Sequence, residues 1–489
     1  MHRMRALTGV LAAAALLAAG CGGTTAEPGT GASSIVPASA PAFIAIDSNP
    51  SSTQWRTIDQ LASKFPDKQK AVHSIEGELS KQDVNWKNDV KPALGDELDF
   101  AWLDFERNGQ NFVLLVQPHN ALKFKEVVDK ANKAEQDPSN RAVYEKFRGW
   151  YVLATDHATI DRFERESNAQ GSLAQERSFK DSMDRLGNDA VVRSYVNGKF
   201  LMSLARRYGG AQAQKYIDKL GTLDWIAARL GATSDGVGFD AIVHGTPGSL
   251  FRGASKSPAY SPKLLDDVPA DALLFLSFRG SHNMFSGLQQ NAFFQNAPQF
   301  RQFVQPLQQI GRVLEGENAI YLRPGTARSP SVPFAIPEVT LLSTPKTAGT
   351  PIVDRMVKRL AGGSPQARAV AGTPVHALAS NGVGLYYADV NGKFVVTDQP
   401  SGIRGLTRSG KSLSDSKEFQ ETKTAAGAPS KTWGMVYVNI SASVPFGEKL
   451  AQRHIPAEIA SNIKPLRSAV EYAASHTHEL QITFFLRIK

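Results

Sequence analysis

Five short stretches of this 489-residue chain recur in one order at nearly constant spacing, and no other feature limits its possible folds so tightly. Val36-Pro37-Ala38-Ser39-Ala40 leads into the apolar run Ala42-Phe43-Ile44-Ala45-Ile46. Val268-Pro269-Ala270-Asp271-Ala272 leads likewise into Leu273-Leu274-Phe275-Leu276-Ser277-Phe278. Tyr151-Val152-Leu153-Ala154-Thr155-Asp156 returns as Lys393-Phe394-Val395-Val396-Thr397-Asp398. Ser172-Leu173 with Phe179 returns as Ser412-Leu413 with Phe419, and Tyr195-Val196-Asn197 as Tyr437-Val438-Asn439. The matches keep one order, and their offsets run from 232 residues for the first pair to 242 for the last, as small insertions between two copies would produce. Single matches arise by chance; five collinear ones predict a tandem duplication.

Within each copy the apolar pattern switches between period two and period 3.6. Residues 98–103, 111–117, 150–155, 190–196 and 236–243 read as strands. Asn120 to Ala134 carries Leu122, Phe124, Val127 and Val128 at helical spacing, with Asn120 placed to cap it; Ile352, Met356, Val357 and Leu360 match it in the second copy. Gly384–Val390 and Lys393–Asp398 flank Asn391-Gly392, the turn dipeptide of a two-residue hairpin. Both copies end in a strand, at 236–243 and 480–488. Hairpins mixed with surface helices predict an α+β fold, a tandem duplication of a mixed, largely antiparallel sheet unit. The expected organisation is a first copy over 36–246, a linker over 247–267 and a second copy over 268–489.

The N-terminus has a separate character. Arg3 and Arg5 precede a small, apolar run from Ala6 to Ala19, too short for a membrane span and of the length of a secretory h-region. It ends at Leu17-Ala18-Ala19-Gly20-Cys21, which resembles the lipobox of bacterial lipoproteins, with the leucine four residues before the cysteine instead of three. Cys21 is the one cysteine of the chain, so no disulfide framework competes for it. The expectation is a signal peptide over 1–20, lipid on Cys21, and a Gly/Ser/Thr/Ala/Pro tether over 21–35 with a reach on the order of 20 Å. The protein would then be extracytoplasmic, attached to the membrane through that lipid.

Charge is split between the halves. Residues 21–240 carry 27 Lys+Arg against 30 Asp+Glu, whereas 241–489 carry 26 against 16. The basic second half would suit anionic lipid or an acidic cell-wall polymer, although excess lysine and arginine also merely solvate surfaces. No dense basic run interleaved with aromatics appears, which argues against nucleic acid.

Candidate chemistry is sparse. Gly405-Leu406-Thr407-Arg408-Ser409-Gly410-Lys411-Ser412 spells the phosphate-cradling P-loop, which needs a strand entering Gly405 and a helix starting at Lys411. Ile403 and Leu406 instead continue a helical pattern, and the first copy has Ile160-Asp161-Arg162-Phe163-Glu164-Arg165-Glu166 there. Ser414 and Lys417 form a Ser-x-x-Lys pair without its companion motifs; Lys346-Thr347-Ala348-Gly349 is a near miss on the wrong side. His476 and His478, two apart at the entry to the last strand, would share a metal only with further ligands from scattered His244, His282 or His376. Trp86, Asp89, Leu94, Gly95, Asp96 and Glu97 form a patch in which the carboxylates would serve acid–base work, or in which Trp86 and Leu94 pack while Gly95-Asp96 turns the chain. Gly316-Glu317 at a similar point of the second copy favours the turn. No catalytic, cofactor-binding or metal-ligating residue is assigned.

The lipobox, the Trp86…Asp89…Leu94-Gly95-Asp96 segment and the paired Thr-Asp…Ser-Leu…Phe units resemble a family of envelope lipoproteins of high-GC Gram-positive bacteria catalogued as a domain of unknown function. The resemblance brings no catalytic residues with it. The expected function is non-catalytic binding or scaffolding of an envelope component (lipid, glycan or protein), with an envelope hydrolase whose residues converge only in three dimensions as the alternative.

Overall fold

The computed structural model describes residues 31–489 except 82, 211–213, 215–216, 218–220, 247–258, 282–308, 330–331, 362, 381–382, 408–409 and 477. The first half supplies strands β1 (Ala42–Asp47), β2 (Glu97–Trp102), β3 (Phe112–Val116), β4 (Val143–Phe147), β5 (Trp150–Ala154), β6 (Val192–Asn197), β7 (Trp225–Thr233) and β8 (Gly236–His244). The second supplies β9 (Leu274–Gly280), β10 (Gly316–Arg323), β11 (Glu338–Ser343), β12 (Gln366–Val370), β13 (Thr373–Ser380), β14 (Val383–Val390), β15 (Lys393–Thr397), β16 (Gly434–Val438), β17 (Leu466–His476) and β18 (Glu479–Ile488). All join one 18-stranded antiparallel sheet in the spatial order β4-β5-β3-β2-β1-β6-β7-β8-β18-β17-β16-β9-β10-β11-β15-β14-β13-β12. From the central β8–β18 pair outward, each half therefore lays down its strands in the same order, and the second adds β13 and β12 at its edge. Asp240 of β8 faces Thr483 of β18 at the middle of that pair, and the Thr483 hydroxyl donates to the Asp240 carboxylate at 2.6 Å.

The correspondence reaches individual bonds. Phe43 pairs with Tyr195 and Ala101, and Phe275 with Tyr437 and Tyr321. The Leu173 amide donates to the Val36 carbonyl, the Leu413 amide to that of Val268. Asn197 and Asn439 each cap a following helix, α6 (Gly198–Tyr208) and α10 (Ile440–Ala451), and their own amides reach Pro41 and Leu273. Phe179 meets the edge of Phe43 at 5.6 Å and of Tyr195 at 5.3 Å; Phe419 meets Phe275 at 6.5 Å and Tyr437 at 5.0 Å. These rings are fully buried, each worth roughly 2–3 kcal/mol in surface removed from water.

One sheet face is covered in the first half by α4 (His157–Ala169) and α5 (Arg177–Leu186), whose Ile160, Phe163, Phe179 and Leu186 pack on Phe43, Ala101 and Val152. In the second half α8 (Pro400–Thr407) and α9 (Lys417–Ala425) do the same with Ile403 and Phe419. The opposite face is covered at its outer strands, by α3 (Ala121–Ala134) over β2, β3 and β5 and by α7 (Thr350–Ala361) over β14 and β15. Asn120 caps α3 through the amides of Leu122 and Lys123, as its position predicts. Asn391 and Gly392 turn the β14–β15 hairpin with φ of 50° and 75°, the left-handed pair this turn requires. Near the centre, α1 (Thr53–Ala62) lies at one end of β7, where Gln54 bonds both the amide and carbonyl of Ala232.

Two boundaries differ from the composition-based reading. Cys21 and residues 1–20 lie outside the described residues, as do 21–30 of the tether, but Gly31–Ser34 form a 3-10 turn in which Ala32 and Ser33 are buried, and Ile35 is buried after it. The small residues there serve close packing instead of flexibility: a Cβ on Gly31 would sit 2.6 Å from Glu97 Oε1. Residues 247–258 of the linker are likewise outside the description, whereas Tyr260, Leu264 and Leu265 are core residues of the second half. No helix among the described residues is long and apolar enough to cross a membrane.

Candidate functional site

Glu97 opens β2 and turns inward, where its carboxylate accepts the Ala32 amide at 3.3 Å; Glu317 opens β10 and accepts the Leu264 amide at 2.7 Å. The two glutamates hold equivalent 3-10 turns onto equivalent strands, which is a structural task. Gly95 has a packing role as well, since a Cβ there would meet the Gln117 carbonyl oxygen at 2.0 Å. Leu94 is buried, Trp86 packs beside it, and Asp89 accepts the Asn85 amide and the Lys130 ammonium at 3.0 Å. Asp96 is exposed and accepts from Asn49.

Around Glu97 the first half has something the second lacks. Ala45 of β1 stands between Asp99 of β2 and Arg193 of β6, all on the inward face. Asp99 is fully buried and neither carboxylate oxygen has a hydrogen-bond partner. Burial, then the neighbouring Glu97, push its pKa well above the carboxylate range, with Arg193 opposing. Burial likewise pushes Glu97 up to about 7 and Asp47 up to about 6. In the second half Ser277 stands between Ala319 and Met435. The cluster is sealed from solvent, so it can hold protons but cannot reach a substrate. Its sequence signal is Asp99 on the inward phase of an alternating strand.

A cleft of about 580 Å³ opens in the second half between Val268–Asp271, the end of α8 and Gly410–Ser412. Its floor is Arg323, whose guanidinium grips both oxygens of Glu338 at 2.8 and 3.1 Å and donates to the Ser401 carbonyl. The Ser401 hydroxyl also donates to Glu338, which is fully buried. The Glu338 oxygens are taken up by the forked guanidinium, so the Ser401 hydroxyl is locked in place. None of Arg323, Glu338 or Ser401 was legible as a group, because they come from three separate elements.

The sequence motifs resolve plainly. Gly405 lies inside α8, while β15 ends at Thr397, so the strand–loop–helix geometry of a phosphate loop is not built; Arg408 and Ser409 lie outside the described residues. Ser412 caps a 3-10 turn through Asp415. The Ser414 hydroxyl donates to Asp266 at 2.6 Å, and Lys417 points to Glu421. His476 ends β17, and His478 lies in the hairpin turn with φ of 66° and not in the last strand, at whose entry the spacing placed both. His376 binds Asp354 and His244 binds Asp224, in different halves; His282 is outside the described residues. Among the described residues no cluster has the makings of a metal site.

At the sheet centre the face opposite α4 and α5 is apolar, and beyond Leu61 of α1 at one end no described helix packs on it. Phe239 of β8 pairs directly with Phe484 of β18, and Leu230 of β7 with Phe239. They are 41%, 40% and 39% exposed, high values for three adjacent large apolar side chains in the interior strands of a sheet. Ala241 and Ile482 form the next paired row. The other face of the same junction holds a small polar hollow of about 120 Å³ bounded by Arg229, Asp240, Arg185 and Glu479, not an apolar cavity.

Fold and sites together define an α+β protein with two like-ordered halves on one sheet, a charged cleft in one half and an apolar centre that the described helices leave largely uncovered. The chain belongs to the family described as protein of unknown function DUF3352, whose model matches residues 4–486. No curated protein matches it. The solved structure of TP0453 in crystal form IV aligns at 17% identity over 47% of this chain and 83% of its own, with a TM-score of 0.25; a likeness that low carries no argument.

Proposed function

We propose that the chain is an extracytoplasmic lipoprotein, held to the membrane by lipid on Cys21, that binds the apolar part of an envelope component without catalysis. The observation that supports this most is the Leu230–Phe239–Phe484 row, an exposed apolar strip where each half meets the other. Ala228, Ala241 and Ile482 beside it carry no charge, and Glu471 of β17, paired with Phe484, ends the strip on one side with a carboxylate, so a lipid acyl chain suits the strip better than an acidic polymer. The two halves, 36–246 and 268–489, read as copies of one unit, and their fusion creates the strip, because neither half alone has both phenylalanines.

A photoreactive phenylalanine analogue at position 239, activated in living cells, tests the reading. Adducts of acyl lipid are expected, diminished by Phe484→Ser. Cross-links only to protein, whether another chain or other residues of this one, would overturn the lipid assignment.

A further inference from the structure

The charged cleft of the second half is not used by the apolar reading, and it has the features of a separate site. Its walls are preformed. The Ala270 amide donates to the Lys411 carbonyl at 3.0 Å, Leu413 to Val268 at 2.7 Å, and Pro269 bridges Ser412, so the Val268–Asp271 segment is stitched to the Gly410–Ser412 segment. The floor is rigid through the Arg323–Glu338–Ser401 lock. A volume of about 580 Å³ falls within the size of small-molecule sites.

The charges lining it divide into committed and free. Arg323 is neutralised by Glu338, with Asp271 a further 3.9 Å from its other nitrogen. Asp267 is paired with Lys393 at 2.5 Å, and Asp266 accepts the Ser414 hydroxyl. Asp415, just behind, is occupied in capping Ser412. Among the lining cations of the described residues, the Arg404 and Lys411 side chains alone make no hydrogen bond or salt bridge, and the Lys411 charge acts only at longer range, on Asp415. The shared architecture does not call for Lys411: Gly171 stands before Ser172 in the first half as Lys411 stands before Ser412 in the second. Two cations that fold and packing leave idle, at the mouth of a preformed cleft in the half with excess positive charge, match an anionic group. Arginine offers it a planar fork and lysine a point charge.

We propose that this cleft binds a phosphate group carried by a small polyol, with Arg404 and Lys411 as its ligands and Thr326 and Asp271 facing the polyol hydroxyls. The site stands apart from the apolar strip. The phosphate is either part of a lipid headgroup or free of lipid, and the two sources are separable.

Full-length protein in detergent micelles is titrated with sn-glycerol 1-phosphate, followed by phosphorus NMR, and separately with micelles doped with phosphatidylglycerol or phosphatidylcholine. Saturable binding is expected that weakens at least tenfold in Arg404→Gln and in Lys411→Gln, and falls as salt rises from about 50 to 300 mM. The unrelated surface variant Lys417→Gln should bind as the parent does. Binding of free glycerol phosphate assigns the site to soluble or polymer phosphate; binding of phosphatidylglycerol alone assigns it to a headgroup. Neither altered side chain makes an intramolecular bond, so both variants should melt with the parent. No saturable binding of any phosphate probe, or undiminished binding by the Arg404→Gln/Lys411→Gln double variant, overturns the proposal. Loss of lipid cross-links at position 239 with intact phosphate binding would count against the apolar reading alone.

Discussion

Replacing Asp99 by alanine and Arg193 by methionine together would rebuild in the first half what Ala319 and Met435 already form in the second. Removing the cluster's buried cation should cost stability. Arg193→Met takes away the charge that opposes the raised pKa of Asp99 and Glu97 and the donor to the Gly187 carbonyl and Asn188, at a cost of about 1–3 kcal/mol. The double variant should recover part of that loss, because an apolar pair leaves no buried carboxyl without a hydrogen-bond partner at position 99. The pH dependence gives an independent check. Glu97 rises from its ordinary 4.5 to about 7, worth roughly 3 kcal/mol at 1.36 kcal/mol per decade. The folded state then holds the proton more tightly than the unfolded one. That stabilisation is complete below pH 4.5 and is lost as pH climbs through about 7, the reverse of ordinary acid denaturation. Asp47, raised from 3.8 to about 6, acts in the same sense. Urea unfolding followed by tryptophan fluorescence at pH 5 and 7.5 reads both effects; Glu97→Gln should shrink the difference, Asp47 and Asp99 carrying the rest, while keeping an acceptor for the Ala32 amide. A double variant less stable than Arg193→Met, or a pH difference untouched by Glu97→Gln, would refute the reasoning.

Other outcomes follow from the same geometry. Cys21→Ser should release the protein to the medium or leave its precursor uncleaved, and normal lipid labelling of that variant would sink the anchor. Gly95→Ala drives a methyl into the Gln117 carbonyl and should cost about 1–3 kcal/mol in urea unfolding; an unchanged midpoint would show that the strand can shift. Glu338→Ala strands Arg323 in the cleft floor and should cost about 3–5 kcal/mol, whereas Arg323→Met/Glu338→Leu should cost far less, a difference that a double-mutant cycle measures. Lys411→Ala should leave ATP affinity unchanged at nil, because Gly405 is helical; measurable ATP binding by the parent would contradict this.

Local patterns were legible where one face of an element is wet. Asn120 with its helix, the Asn391-Gly392 hairpin, and strands 98–103, 111–117 and 236–243 appear within a residue or two of their expected places. Strands β7 and β17 were not legible. Both run through the sheet interior with small residues such as Ala227, Ala228, Ala473 and Ala474 on both faces, which leaves no alternation to read. The Gly/Ala/Ser run before Val36 looked like tether because composition does not record that Glu97 waits 65 residues later to bind it.

The chain's own sequence determined the repeating order of elements, the collinear Phe, Tyr, Asn and Ser-Leu pairs, and the solitary Cys21, since periodicity, turn chemistry and spacing are local properties. Tertiary structure alone decided that the two halves share one sheet through β8 and β18, which brings Phe239 to Phe484 across 245 residues. It likewise gathered Arg323, Glu338, Ser401 and Lys411 around one cleft, and set Asp99 against Arg193. Strand pairing and burial place side chains by their partners, and a partner far away in the chain leaves no mark on the residues beside it.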